Sequence, residues 1–172
     1  TNYAGVAAMK ATINELYGLD NFEFTYGMAG RTDTFIARKA IEGIQGHCSP
    51  EEVSHMLEAY GQKLPASLVE KHGRLLPHVQ ETLEWIRKDP GTTSLLLTGN
   101  CEVAAHAKLR YFGIEKEFDY AHSAFGEISE FRDDLSQALW EKVRKADPAV
   151  TPEQLIVIGD TPHDITCAQA IG

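Results

Sequence analysis

The stretch LIVIGDTPHDI, residues 155–165, constrains the chain more than any other. Leu155, Ile156, Val157 and Ile158 form a short apolar run rich in β-branched residues, the pattern of a strand buried on both faces of a parallel sheet. Gly159 lets the backbone turn sharply, and Asp160 follows at the strand's carboxyl end. Thr161-Pro162 then reads as a helix start with proline in the first turn, which sets Asp164 about one turn beyond Asp160. Two acids thereby face one crevice, at the strand end where open α/β sheets bind ligands. A competing reading makes Asp160 a turn residue and leaves Asp164 on a wet helix face.

The same rhythm runs from Leu76 onwards. HVQETLEWIRK, CEVAAHAKLRYFG and DLSQALWEKVRKA read as helices, with TSLLLT and FDYAHS as strands between them. That alternation predicts an α/β fold with a Rossmann-like, doubly wound parallel sheet. Residues 3–74 carry only helical signals. Val6, Met9, Ile13 and Leu16 share a face that ends at Gly18, and Phe35, Ile36, Ala40 and Ile44 share another. Ser49 reads as an N-cap with Pro50 at the first helical position. The expected organisation is an all-helical domain over residues 1–74 and an α/β domain over 75–172.

Charge narrows the partners. Lys and Arg are outnumbered 16 to 25 by Asp and Glu, the formal charge is −9, and no basic run occurs, which argues against nucleic acid or an anionic membrane surface. Any anion must be held by a local device. Cys48, Cys101 and Cys167 are too scattered for a disulfide framework or zinc ribbon, so a cytoplasmic, reducing setting is expected. No stretch approaches the ~20 apolar residues of a membrane span. The seven histidines show no metal-ligand spacing, and Trp85 and Trp140 read as core.

One such device is LLLTGN, which places Thr98 just past a buried run, with Gly99 permitting close backbone approach and the Asn100 amide near a helix start. A hydroxyl with free amides is an anion seat, although Thr98 could equally cap the following helix. In FRDDL, Arg132 precedes a helix capped by Asp133 or Asp134 and either neutralises the same anion or lies solvated on the surface. Asp160 and Asp164 suit Mg²⁺, which takes a few carboxylate oxygens and leaves the rest to phosphate and water. Cys101 reads either as a thiol activated at a helix start or as a small buried hydrophobe.

Together, LLLTGN, FRDDL and VIGDTPHDI, behind a helical segment containing GMAGRTD, resemble the haloacid dehalogenase superfamily, most closely its phosphoglycolate-phosphatase-like members with a helical cap. The resemblance implies a Mg²⁺-dependent phosphatase that hydrolyses a small phosphorylated metabolite through an aspartyl-phosphate. It implies that Thr98 binds the transferring phosphoryl group with Gly99 and Asn100, that Arg132 stands where the family more often has Lys, and that Asp160 and Asp164 serve the metal. Gly27 and Gly30 allow a tight approach of the cap loop, and an exposed Arg31 there would meet an acidic part of the substrate, unless it pairs with Asp33.

The family carries its nucleophile in an N-terminal strand ending D-x-D-G-T, and no such motif occurs in these residues. Neither Asp160 nor Asp164 replaces it, because a carboxylate engaged with Mg²⁺ is a poor attacker. The resemblance therefore implies that the attacking Asp, and a central strand between the strands ending at Thr98 and Asp160, lie outside the sequence. The 172 residues alone would then be inactive, with a gap of roughly 10 Å between those strands. A metal-free dehalogenase of the same fold and a non-catalytic relative are the alternatives.

Overall fold

The computed structural model describes residues 1–172. Its seven α-helices are α1 (Ala4–Tyr17), α2 (Asp33–Gln45), α3 (Pro50–Lys71), α4 (Val79–Lys88), α5 (Glu102–Tyr111), α6 (Arg132–Ala146) and α7 (Pro162–Gln169). None is long and apolar enough to cross a membrane.

The first three helices form where their end signals lie. Gly18 and Gly46 close α1 and α2 in left-handed conformations, at φ 64° and 81°, where a Cβ is disfavoured. Ser49 caps α3 in a reciprocal box: Glu52 N donates to Ser49 Oγ at 3.2 Å, and Ser49 N donates to Glu52 Oε2 at 2.7 Å. Ser49→Ala is expected to cost about 1 kcal/mol, read as a lower urea midpoint at unchanged slope. An unchanged midpoint would show that the box adds nothing.

Ala8, Met9 and Ile13 of α1, Ile36, Ala40 and Ile41 of α2, and Met56, Leu57 and Leu64 of α3 bury one apolar cluster. It does not stop at residue 74, because Cys101 and Ala104 of α5 join it. Between α1 and α2 an extended segment buries alternate side chains, with Phe22, Phe24 and Tyr26 meeting edge to face at centroid separations of 5.0 and 5.7 Å. A smaller cluster gathers Ala124, Leu135 and Leu139, with Leu95, Leu97 and Leu155 against it.

The expected α/β architecture is not observed. No β-sheet forms, and the only strand-like pairing is an isolated parallel bridge between Leu97 and Ala124. Around it, Ala124 N donates to Leu96 O at 2.8 Å and Thr98 N to Ala124 O at 3.0 Å. The FDYAHS segment folds as turns beside this bridge.

The LIVI segment makes no ladder at all. The backbone groups of 156–159 hydrogen-bond to no other part of the chain, and none joins them to 94–97. Ile156 and Ile158 are each 85% exposed. The physical reason is that β-branched residues supply only a preference for extended backbone, whereas a strand exists by pairing its N–H and C=O groups with a neighbour. No other segment pairs with it on either edge.

Trp85 also departs from expectation at 68% exposed, because α4 buries only Leu83.

Candidate functional site

Although the sheet is absent, the chain ends that it would have positioned still converge. Thr98, Gly99, Asn100, Arg132, Asp160 and Asp164 line one open cleft of about 360 Å³, with Arg31 and Asp33 at its α2 side. A larger groove of about 600 Å³ between α3 and α5 is lined by Val69, Val103 and Tyr111 and contains no carboxylate. Chemistry therefore favours the smaller cleft.

The Thr98 turn is fixed by its own donors. Asn100 N and Asn100 Nδ2 both donate to Thr98 Oγ1, at 3.1 and 2.7 Å. Thr98 does not cap α5: that place belongs to Cys101, which makes no side-chain cap bond. Backbone contacts hold the turn from two sides. A Cβ on Gly99 would stand 2.6 Å from Arg31 O, and one on Gly126 would stand 2.0 Å from Gly99 O. Gly126 N also donates to Asn100 O at 2.7 Å.

Arg132 is not a solvated surface residue. Its side chain is 14% exposed, and Nη2 donates to Asp164 Oδ1 at 2.6 Å. Its Nε is buried without a hydrogen-bond partner. Helix α6 begins at Arg132 itself, with Phe131 in the N-cap place, so Asp133 and Asp134 lie inside the helix and cap nothing.

Asp164 is equally committed. It completes a capping box at the start of α7, accepting from Thr161 N at 3.0 Å and Thr161 Oγ1 at 2.7 Å. Burial pushes its carboxyl up, but the Thr161 donors and the Arg132 charge outweigh that and hold it below the ordinary aspartate range. The wet-face reading of Asp164 fails.

Asp160 is exposed, and its carboxylate has no hydrogen-bond or ion-pair partner on the protein. Between the two acids, Gly159 forms a cradle: a Cβ there would stand 2.3 Å from the Asp164 carboxyl carbon. No third His, Cys, Asp or Glu completes an all-protein metal site. Two carboxylates at a cleft wall, one of them uncommitted, nevertheless fit Mg²⁺, which binds through one or two carboxylates plus substrate phosphate and water.

The loop that precedes α2 meets the cleft directly. Gly30, at φ 72°, packs against the His163 ring so closely that a Cβ would lie 2.3 Å from His163 Cδ2. Gly27 makes no such approach, with nothing within 4 Å of its Cβ position. Arg31 is exposed, and its guanidinium lies 4.8 Å from the Phe35 ring centroid rather than on Asp33. Thr32 caps α2 and donates to Glu130 O at 3.2 Å, while Arg38 of α2 forks onto the Glu130 carboxylate. These bonds tie α2 to the loop that leads into Arg132.

Three polar residues at or near the cleft were not predicted as site residues from the sequence. Asp33 is 8% exposed; its N donates to Gly99 O at 2.6 Å and its Oδ2 accepts from Cys101 N at 2.9 Å. Burial pushes its carboxyl up, opposed by Lys108 and the Cys101 donors. Lys108 is half-buried by area, yet its ammonium is enclosed, and burial lowers it against the opposing pull of Asp33. Its Nζ donates to Asn100 Oδ1. The third is His163, visible in the sequence only as one histidine of seven. Cys101 is 2% exposed, and burial and Asp33 raise its thiol, so it is inert rather than activated.

No curated protein and no solved structure matches the chain. A family model described as haloacid dehalogenase-like hydrolase matches residues 17–169, spanning α2, α3 and every residue of the cleft. The chain belongs to the haloacid dehalogenase-like hydrolase family.

Proposed function

We propose that the cleft is the phosphoryl-binding half of a Mg²⁺-dependent phosphatase acting on a small phosphate monoester through an aspartyl-phosphate. The observation that supports this reading is the convergence of a hydroxyl, a largely enclosed guanidinium and two carboxylates on one cleft, although the Asn100 amides expected to meet the anion are spent on Thr98 Oγ1. Thr98 would donate its hydroxyl hydrogen to a phosphoryl oxygen, and Arg132 would offset the negative charge that a transferring phosphoryl group carries. Asp160 and Asp164 would hold Mg²⁺, which supplies charge neutralisation at the same oxygens. Since both acids are committed to that task, the attacking carboxylate is a different group. The segment 1–74 would act as cap, with Arg31 reading an anionic portion of the leaving group. A phosphoglycolate-type substrate, small and twice anionic, fits that disposition of Arg31 and Arg132.

Turnover of an aryl phosphate by the full-length protein, with Mg²⁺ and with chelator, tests the reading. Hydrolysis only with the metal is expected. Turnover that persists in chelator, or none with any phosphate monoester, would overturn it.

A further inference from the structure

Lys108 lies behind the cleft rather than in its lining, yet it reaches Thr98 through one intermediary. An ammonium has only donors, so the carboxamide atom of Asn100 that faces Lys108 Nζ is the oxygen. The Asn100 NH₂ must then face the other way, and it donates to Thr98 Oγ1 at 2.7 Å, joined by Asn100 N at 3.1 Å. A hydroxyl oxygen has two acceptor sites and one hydrogen. With both sites filled, the Thr98 hydrogen has no acceptor on the protein and is left to the cleft.

We propose that Lys108 is a positioning residue, whose ammonium sets the Asn100 carboxamide so that Thr98 presents its hydroxyl as a donor to a bound phosphoryl oxygen. A reversed carboxamide would offer Thr98 an acceptor, and the hydroxyl would turn inward to it. Asp33, brought by α2, supplies a counter-charge to Lys108 without forming a direct ion pair. Through it, the helix that carries the cap loop contributes to the orientation of Thr98.

This inference rests on the phosphatase reading, and the test separates the two. In the full-length protein, competitive inhibition by inorganic phosphate would be measured for wild type, Thr98→Val, Lys108→Met and the double variant. Lys108→Met is expected to weaken phosphate about five- to tenfold, the worth of one hydrogen bond, and to have no further effect in the Thr98→Val background. A merely structural role would add in both backgrounds. Asn100→Ala, which removes no charge, carries the same prediction should Lys108→Met fail to fold. Additive losses, or unchanged phosphate affinity in both single variants, would overturn the positioning role while leaving the phosphatase reading intact. Wild-type protein that does not bind phosphate would overturn both.

Discussion

Arg132→Met in the full-length protein is expected to lower kcat/KM for a phosphate monoester by about a hundredfold or more, the typical loss when one preorganised donor to a developing charge is removed. The side chain is 14% exposed and lines the cleft beside Asp164, so no water replaces its charge at equal strength. Two effects add. The phosphoryl group loses a cation, and Asp164 loses the attraction that helps keep its carboxyl below the ordinary range. Arg132→Lys retains the charge but not the fork, and should lose about tenfold at most. Steady-state kinetics of both variants check the pair of results. A methionine variant within threefold of wild type would remove Arg132 from the site.

Gly126→Ala has the largest expected effect on the fold. The added methyl would stand 2.0 Å from Gly99 O and 2.7 Å from Gly99 C, and both are backbone atoms that no rotamer change can move. The Gly126 N–H to Asn100 O bond fixes the spacing from the other direction. Overpacking of this kind costs about 1–3 kcal/mol when side chains can yield, and a backbone collision belongs at or beyond the upper end. Urea unfolding should show a loss of about 3 kcal/mol, together with weaker phosphate inhibition because the Thr98 turn is displaced. Wild-type stability with normal phosphate inhibition would contradict the observed packing.

The two expectations differ in what they draw from the sequence. Arg132, Thr98, Asp160 and Asp164 were legible because each sits at the edge of an element with its own punctuation: a helix start, a Gly turn, a Thr-Pro cap. Those local signals are realised as written at Ser49, Gly18 and Thr161. The absence of a sheet was not legible, since a sheet depends on pairing rather than preference. The run 155–158 has the composition of a buried strand, but Ile156 and Ile158 stand exposed beside unpaired backbone.

Asp33 and Lys108 were hidden for a different reason. In GRTD, Asp33 looks like a first-turn helix acid, and in AAHAKLRYFG, Lys108 looks like a last-turn helix base. Only the docking of α2 and α5 against the Thr98 turn encloses both charges and gives them partners. The packing of Gly99 on Gly126 and on Arg31 O is equally invisible in one dimension, where a glycine after Thr98 reads simply as a turn. Residues 1–74 read as helical, and their helices form, yet their apolar cluster takes in Cys101 and Ala104 from beyond the expected boundary.

In the proposed site, Asp160 and Asp164 would hold Mg²⁺ beside Thr98 and Arg132. Titration calorimetry of Mg²⁺ into the full-length protein, for wild type and Asp160→Asn, tests it most directly. Asp160 is exposed and its carboxylate pairs with no other group of the protein, so its amide replacement leaves the fold in place and deletes a carboxylate only. One Mg²⁺ bound by wild type is expected, with affinity lowered about tenfold or more by Asp160→Asn and turnover lost in parallel. Equal Mg²⁺ affinity and equal turnover in the two proteins would contradict the proposed site.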